Sequence, residues 1–331
     1  MIDTIYVERQ VFDHVRVKSI LQRYPRARVI ECATYQEIFN RKGQNFRAQK
    51  SRPALILAHK ASPYLHTVPR EQHIGAVHNY YFSHLLNCPF DCRYCFLQGM
   101  FTSANYVLFV NYEDFATEIY ETCARHEGPV HIFSGYDCDS LALEPLTGFA
   151  DYFIDSLANL DNVVLELRTK STQIRSLLAK QPSPRCVVAM SLAPESIGKS
   201  LEHGTPSLKD RLTALRRLQN HGWPVGLRFD PLIPIAGYVE VYEAFFAQVF
   251  SEIDAHTVHS VTVGALRLPR SFAKRLVRLY PDEPLFAAAT EDHDGTLLFV
   301  EHDNPGLLTG ARSALEAYVP LDRIFDQHAS P

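Results

Sequence analysis

Several features of membrane and secreted proteins are missing from this sequence of 331 residues. No apolar run approaches the roughly 18–20 residues that a membrane-spanning helix needs. Residues 1–6 contain no basic region followed by a long apolar stretch, so we expect no signal peptide. There is also no low-complexity tract and no internal repeat beyond a strand–helix unit. The sequence therefore predicts a cytoplasmic protein with no membrane partner.

The cysteines lack the pattern of a disulfide framework. There are seven of them, an odd number, and three lie close together at Cys88, Cys92 and Cys95. In a reducing compartment, clustered cysteines more often bind a metal or take part in redox chemistry than form disulfides. No second group of clustered cysteines is present, and an auxiliary metal cluster is therefore not expected.

Positive charge is not in excess over the whole chain, whose formal net charge is −4. Lysine and arginine nevertheless outnumber aspartate and glutamate by 13 to 6 in residues 1–87, and by 11 to 7 in residues 199–280. Basic residues gathered on one face could bind the phosphates of a nucleic acid. If they are spread around the surface, they are ordinary solvated side chains.

Strand-like and helix-like segments alternate from residue 80 onward. Helical periodicity is clearest at 207–222, where Ser207 is a suitable N-cap and Gly222 ends the helix. Six β–α repeats in series favour a parallel sheet, either doubly wound or closed into a partial barrel. In both architectures, ligands bind at the carboxyl ends of the strands. The first predicted strand ends at 85–87. The other five occupy 130–134, 163–168, 186–191, 225–229 and 261–266.

The chain is expected to have a smaller region on each side of this β–α series. Residues 1–79 are predicted to form an N-terminal α/β lobe, with strands at 5–7, 28–30 and 55–57. Residues 80–280 then form the β–α domain. Residues 281–331 are predicted to contain a hairpin over 289–300, which turns at Asp294-Gly295, and a helix.

The segment from Asn87 to Phe96 carries the strongest functional signal. Its cysteines have the spacing C-x₃-C-x₂-C and follow the first predicted strand of the β–α series. Cysteine thiolates are the usual ligands of iron–sulfur clusters, and three of them can hold three irons of a [4Fe–4S] cluster. The fourth iron then has no protein ligand and can bind the amino and carboxylate groups of S-adenosylmethionine (SAM). One electron from the cluster cleaves SAM and leaves a 5′-deoxyadenosyl radical, so the cofactors supply the difficult chemistry.

A structural zinc site is an alternative interpretation of the three cysteines. Zinc requires a fourth ligand and usually binds two C-x₂-C pairs, whereas only one such pair is present here. Cys123, Cys138, Cys186 or a histidine could complete a zinc site, but none of them is close in sequence. Three cysteines without a metal are a further alternative, although Asp91 and Arg93 between them indicate an exposed loop.

Beyond the cysteine motif, the chain resembles the spore photoproduct lyase family of radical SAM enzymes, which reverse a UV-induced thymine dimer in DNA. The resemblance implies a partial (β/α)6 radical SAM barrel, with a [4Fe–4S] cluster and SAM as cofactors. It covers most of the chain, and its segments share their order and spacing with the family. These segments are Phe39-Asn40-Arg41, Gln44-Asn45-Phe46, Gln49-Lys50, Cys95-Phe96-Leu97-Gln98, 106–111, Leu146-Thr147-Gly148, Thr169-Lys170, Glu202-His203-Gly204-Thr205-Pro206 and Gly222-Trp223-Pro224-Val225-Gly226.

The resemblance also implies roles for residues at the ends of the predicted strands. Lys170 corresponds to the family lysine that meets the carboxylate of SAM, and Ser191 to a family serine near SAM. Ser134 and Gly135 lie where radical SAM enzymes use backbone groups to hold the amino group of SAM. Asp139 matches a family aspartate in the same loop. Without the resemblance, each of these residues would be an ordinary strand-end, turn or loop-capping residue.

Two positions depart from the family in the residues that handle the radical. The family has a hydrogen-donating cysteine after the second strand, but the ungapped match places Tyr136 there, with Cys138 two residues later. Cys138 therefore either donates hydrogen or only packs beside SAM. The family also has a tyrosine directly after the last cluster cysteine, where this chain has Phe96. Tyr94 keeps the other family tyrosine, near the adenine of SAM.

Three functions follow as hypotheses. The resemblance implies a DNA substrate, through UV-lesion repair or a related reaction, and a one-electron donor of the flavodoxin or ferredoxin type. The altered radical-handling residues and the acidic C-terminal segment motivate a radical SAM enzyme that acts on a peptide or a small molecule. A metal-stabilised binding protein without enzymatic activity is the third hypothesis.

Overall fold

Residues 2–69, 72–300 and 306–327 are described by the computed structural model of this chain. Most of its strands coincide with the apolar segments that predicted them. The strands, in chain order, are β1 (Thr4–Glu8), β2 (Arg28–Cys32), β3 (Leu55–Ala58), β4 (His66–Thr67), β5 (His78–Tyr81), β6 (Leu85–Leu86), β7 (Asp91–Cys92), β8 (Tyr106–Phe109), β9 (Val130–Ser134), β10 (Val163–Thr169), β11 (Cys186–Ser191), β12 (Glu202–His203), β13 (Val225–Leu232), β14 (Val258–Ala265), β15 (Arg267–Pro269), β16 (Thr290–His293), β17 (Thr296–Phe299) and β18 (Ile324–Asp326).

Helices connect most of these strands. None of the helices among the described residues has the length and apolar character that crossing a membrane would require. The α-helices, in chain order, are α1 (Val15–Arg23), α2 (Tyr35–Phe39), α3 (Phe46–Ser51), α4 (Phe96–Met100), α5 (Tyr112–Ala124), α6 (Glu144–Thr147), α7 (Phe149–Ser156), α8 (Arg175–Leu178), α9 (Glu195–Leu201), α10 (Leu208–His221), α11 (Tyr238–Glu252), α12 (Arg270–Leu279) and α13 (Leu307–Glu316).

The ends of α10 show how local sequence sets the helix boundaries. Ser207 is its N-cap, and the hydroxyl accepts a hydrogen bond of 3.2 Å from the amide of Asp210. Gly222 ends the helix in the left-handed region, with φ of 103°, which glycine adopts without strain. Both ends agree with the prediction. The apolar face of α10 then packs against β11 and β13.

The N-terminal region contains a five-stranded sheet in the order β2-β1-β3-β8-β6. The first four of these strands are parallel, and β6 is antiparallel to β8. Every residue of β3 and β8 is buried, as is typical of the central strands of a parallel sheet. β8 contributes to this sheet although it lies after the cysteine motif in sequence.

The larger sheet of the described chain has eight strands in the order β18-β14-β13-β11-β10-β9-β5-β4. Its neighbouring strands are parallel except for β4, which is antiparallel to β5. The sheet curls so that its two edges approach each other. His73, just before β5, has its ring 5.9 Å from that of Phe325 in β18. The result is an α/β half-barrel whose carboxyl ends face one cavity.

The first parallel strand of the larger sheet is β5, and not the segment at 85–87 that the sequence predicted. β5 pairs in register from His78↔Val130 to Tyr81↔Phe133. Leu85–Leu86 instead joins the N-terminal sheet as β6. β5 lies beside the two-residue β4 and is only half-buried, and its sequence His-Asn-Tyr-Tyr contains no aliphatic residue. It therefore lacks the signal of a buried strand.

The predicted hairpin is present near the C-terminus. β16 and β17 pair antiparallel around Asp294 and Gly295, and both of these residues have positive φ. β15 adds a third strand on the other side of β17, so a small sheet lies beside the larger one. α12 follows β15 directly and packs against α4, which follows the cysteine motif.

Candidate active site

A cavity of about 870 Å³ lies at the carboxyl ends of the strands of the larger sheet. Gly135 follows β9, Lys170 follows β10, and Ser191 ends β11, and all three line the cavity. Cys88, Cys92 and Cys95 line it as well. The fold therefore brings Cys88 and Ser191, which are more than one hundred positions apart in sequence, to one cavity at the sheet edge where ligands are expected to bind.

The loop with the three cysteines, residues 87–96, is the cluster loop, and side-chain hydrogen bonds fix its first two residues. Asn87 has a left-handed backbone with φ of 72°, and its side-chain amide donates to two backbone carbonyl oxygens at 2.7 and 2.8 Å. Lys50 donates from Nζ to the carbonyl oxygen of Cys88 at 2.6 Å. These bonds anchor the start of the cluster loop.

The three cluster-loop thiols fit an iron–sulfur cluster. None of them forms a disulfide. Burial raises the pKa of all three, whereas Lys50 and Lys170 act in the opposite direction. Among the described residues, no three Cys, His, Asp or Glu side chains converge as ligands of a single metal ion. In a [4Fe–4S] cluster each thiolate binds a different iron, so its protein ligands need not converge on one point.

Glu202 is the centre of a buried ionic network beside the cluster loop. Its carboxylate accepts hydrogen bonds from Tyr94 and Arg211, and Nζ of Lys170 lies 3.7 Å from Oε1. Burial raises the pKa of Glu202, but Lys170 and Arg211 hold it below its usual value. Burial alone would lower the pKa of Lys170, but the negative charge of Glu202 outweighs burial and raises this pKa. The ammonium of Lys170 therefore stays charged. The network holds Lys170 and Tyr94 against the cavity.

We expect the substitution Glu202→Gln to lower the free energy of unfolding by about 3–5 kcal/mol, because Lys170 and Arg211 would lose the charge that compensates them. Urea denaturation under anaerobic conditions measures this loss. Glu195→Gln is the matched control, since Glu195 forms only an exposed pair with Lys199 at i,i+4. That pair contributes less than about 1 kcal/mol. Equal stabilities of the two variants would contradict a structural role for the network.

Of the residues predicted to hold SAM, all except Ser134 line the cavity. Ser134 is buried behind it, where its hydroxyl bonds to the hydroxyl of Ser140 and to the carbonyl oxygen of Glu166, both at 2.8 Å. Gly135 has φ of 87°, and a Cβ there would lie 2.8 Å from the carbonyl oxygen of Arg168. This position therefore requires glycine. It leaves strand-end backbone open to the cavity.

Asp139 uses its carboxylate to connect the loop after β9 to the end of β10. It accepts hydrogen bonds of 2.6 Å from the hydroxyl of Thr169 and from the amide of Lys170, and two more from amides of its own loop. Burial raises its pKa. Ser191 is buried at the cavity wall, and its carbonyl oxygen accepts a hydrogen bond of 3.0 Å from Arg211.

The residues predicted to handle the radical all line the same cavity. Tyr136 stacks on Tyr81 with ring centroids 4.4 Å apart, and its hydroxyl donates to Oε1 of Gln72 at 3.0 Å. The Cys138 side chain is buried, and burial followed by Asp139 raises the pKa of its thiol. Tyr136 and Cys138 are thus both available at one wall.

A sequence model of the spore photoproduct lyase family matches residues 1–286, which is most of the chain. The chain belongs to the spore photoproduct lyase family. The family that the cysteine motif and its surrounding segments predicted is therefore confirmed.

Two curated spore photoproduct lyases are among the relatives of this family member. The enzyme of Clostridium acetobutylicum is 22% identical over 209 residues, which are 62% of this chain and 62% of that enzyme. The enzyme of Bacillus subtilis is 22% identical over 203 residues, 60% of this chain and 59% of the enzyme. The matches thus span about three-fifths of the length of these relatives.

Solved spore photoproduct lyases share the fold of this family member. A single-site mutant has a TM-score of 0.85 at 16% identity, with 100% of this chain and 99% of the other covered. A double mutant with bound AdoMet and dinucleoside spore photoproduct has a TM-score of 0.84 with the same identity and coverage. At this identity, the likeness establishes the α/β half-barrel of the radical SAM type.

Two buried ionic groups of this spore photoproduct lyase family member were not predicted from the sequence. One is the Glu202 network, although Glu202 begins a segment that resembles the family. The other joins Glu166 on β10 to Arg228 on β13, where Nη2 and Oε2 are 2.6 Å apart and both side chains are buried. A charged residue inside an otherwise apolar strand was the available signal, because such a residue is buried only with a partner.

Proposed function

We propose that this chain is a radical SAM enzyme that repairs a UV lesion in DNA, of the type that spore photoproduct lyases reverse. The main support is one observation, the presence of three cluster-loop thiols, Lys170 and Cys138 on the wall of a single cavity. The match to the spore photoproduct lyase family links this combination of residues to radical SAM chemistry. A solved relative binds AdoMet and dinucleoside spore photoproduct, which are the cofactor and the substrate class that we propose here.

The proposed cofactors are a [4Fe–4S] cluster and SAM. Cys88, Cys92 and Cys95 would hold the cluster, and together the two cofactors supply a 5′-deoxyadenosyl radical. We assign the carboxylate of SAM to Lys170, whose ammonium is kept charged by Glu202. The backbone at Gly135 and the cavity wall at Ser191 would form the rest of the SAM site. Asp139 positions this wall through its four hydrogen bonds.

We assign hydrogen donation to Cys138 and a positioning role to Tyr136. The buried thiol keeps its proton at neutral pH because burial raises its pKa, and an S–H group can give up a hydrogen atom. The hydroxyl of Tyr136 is already engaged with Gln72. Tyr94 is bonded to Glu202 beside the cluster loop, and we assign it to packing near SAM.

A basic face next to the cavity supports DNA as the substrate. Arg270, Lys274 and Arg278 are spaced four residues apart on α12, so they share one exposed face. Phe272 on the same helix lines the cavity. Arg270 is paired with Asp292, whereas Lys274 and Arg278 have no acidic partner among the described residues. These two cations are therefore free to meet phosphates.

We expect the double substitution Lys274→Gln and Arg278→Gln to reduce the dependence of DNA affinity on salt. Each phosphate contact adds about 0.9 to the slope of log K against log salt for duplex DNA, so the slope should fall by about two. Fluorescence anisotropy with duplex DNA measures it. Lys209→Gln with Arg217→Gln on α10 removes the same charge from exposed positions elsewhere. Equal slopes for both double variants would contradict the assignment to α12.

We also propose how the fold divides. β5, β9, β10, β11, β13 and β14 would be the six strands of a (β/α)6 partial barrel over residues 80–280, with β5 beginning two residues earlier. Residues 1–79 would be the N-terminal lobe, whose sheet β6 and β8 complete, and residues 281–331 the hairpin and helix extension. We place the protein in the cytoplasm, because clustered reduced cysteines suit that compartment. A flavodoxin or a ferredoxin would supply the electron there.

The proposed function is tested with the reconstituted protein under anaerobic conditions, with SAM, dithionite and UV-irradiated DNA. Mass spectrometry measures 5′-deoxyadenosine and the lesion. We expect 5′-deoxyadenosine to form and the thymine lesion to disappear. Formation of 5′-deoxyadenosine with every lesion intact would retain the enzyme class and favour a peptide or small-molecule substrate. A colourless protein that carries zinc would overturn the enzyme class.

A further inference from the structure

Arg168 is a cavity residue to which neither the motif nor the resemblance assigned a role. It is the last but one residue of β10, two positions after Glu166, so the two side chains project from the same face of the strand. Arg168 lines the cavity and its side chain is 27% exposed, whereas that of Glu166 is 1% exposed. Glu166 does not line the cavity, so it lies buried behind Arg168.

Glu166 holds Arg168 in one orientation. Nε of Arg168 donates to Oε1 of Glu166 at 3.0 Å, while Oε2 accepts from Arg228 at 2.6 Å. Arg228 is itself fixed by the carbonyl oxygen and the hydroxyl of Ser260, both at 3.0 Å. Among the described residues, Nη1 and Nη2 of Arg168 donate no hydrogen bond, and only Nε does. Two donors of a rigid, planar fork are therefore presented to the cavity.

The charges around this fork leave an excess of positive charge. Arg168 and Arg228 share the single carboxylate of Glu166. The other carboxylate that faces Arg168 is Asp230, and it is already 3.6 Å from Arg267. Three guanidinium groups thus surround two carboxylates at this end of the cavity. An anion bound there would meet prepared donors and would restore the balance of charge.

The side chains beside Arg168 suit a nucleotide. Tyr81 and Tyr136 stack on each other and both line the cavity, and aromatic rings are surfaces on which bases stack. Gln72 and Gln327 line the cavity with amide groups. Lys170 belongs to the separate Glu202 network. Lys170 is therefore the cation for SAM, and Arg168 is a separate cation for a second anion.

We propose that Arg168 binds the phosphodiester that links the two nucleosides of the lesion. This assignment rests on the proposed function, which makes the substrate a dinucleotide unit of DNA. The guanidinium fork would bind the phosphate through Nη1 and Nη2 while Nε stays bonded to Glu166. The phosphate would thereby fix the position of the lesion relative to Cys138.

The test compares two forms of the lesion, a dinucleotide with the phosphodiester and a dinucleoside without it. Dissociation constants are measured for the reconstituted protein with SAM and without reductant, so that no turnover occurs. We expect Arg168→Met to weaken binding of the dinucleotide about 10- to 100-fold, as expected for a charge-assisted hydrogen-bonded contact. The affinities for the dinucleoside and for SAM should change by less than about twofold. Arg168→Lys, which keeps the charge, should recover part of the loss.

Arg168→Met should fold, because Glu166 keeps Arg228 as its partner. Arg185→Met is the matched control, since Arg185 precedes β11 at the opposite end of the sheet and pairs with Asp161. An equal loss for the dinucleoside would overturn the proposal, because Arg168 would then contact a base or sugar. A loss of SAM affinity would overturn it in favour of the carboxylate of SAM. A wild-type protein that binds neither form of the lesion would overturn the proposed function itself.

Discussion

Replacing Cys92 with alanine is expected to remove the metal cluster and abolish cleavage of SAM. Each of the three thiolates holds one iron, and Cys88 and Cys95 alone would leave two irons without protein ligands. Iron should fall from about four per chain to less than about one after anaerobic reconstitution. Elemental analysis, visible absorption and 5′-deoxyadenosine formation report this change independently. No 5′-deoxyadenosine should be detectable with SAM and dithionite.

Cys186→Ala is the matched control for this experiment. Cys186 is buried in β11, and it does not line the cavity. The substitution removes a buried thiol that is not a ligand of the cluster. Iron content and SAM cleavage should therefore stay as in the wild type. Circular dichroism of the Cys92 variant should retain the native signal, because the pairing of β7 with β12 uses the backbone of Cys92. Full iron content in the Cys92 variant would refute its role as a ligand.

The fold could be predicted where strands are apolar and helices are capped. β9, β10, β11, β13 and β14 coincide with apolar runs, and α10 begins and ends where its capping residues predicted. The first strand of the larger sheet could not be found in this way. β5 is half-buried and polar, and the backbone of β9 specifies its place by pairing. β8 joins the N-terminal sheet through contacts distant in sequence, which no local pattern encodes.

The sequence predicted the residues of the candidate site that lie in motifs. The cysteine spacing and the family segments identified ten residues that line one cavity, and the eleventh, Ser134, lies behind it. The partners of these residues could not be predicted. Glu202 reaches Lys170 because β12 pairs with the cluster loop, and Glu166 reaches Arg228 across the sheet. Such pairs depend on the tertiary arrangement of strands, whereas a motif records only spacing along one segment.

Replacing Cys138 with alanine is expected to uncouple SAM cleavage from repair. The cluster, Lys170 and Ser191 are untouched, so 5′-deoxyadenosine should form at a rate within about twofold of the wild type. Repair should fall by about tenfold or more, since the variant loses the group that donates hydrogen to the substrate. Mass spectrometry of both products from one reaction measures the ratio. Tyr136→Phe removes a hydroxyl from the same wall and should keep repair within about threefold of the wild type.

Solvent deuterium distinguishes donation by Cys138 from a merely structural contribution. A thiol hydrogen exchanges with water, so in D₂O the wild-type enzyme should place one deuterium in the repaired thymine. The Cys138→Ala variant should place none, and Tyr136→Phe should behave as the wild type. A reversed pattern, with deuterium lost only in Tyr136→Phe, would assign donation to the phenol, which occupies the family cysteine position. Because Gln72 holds that phenol while the Cys138 thiol stays protonated in its buried position, we expect the thiol to be the donor.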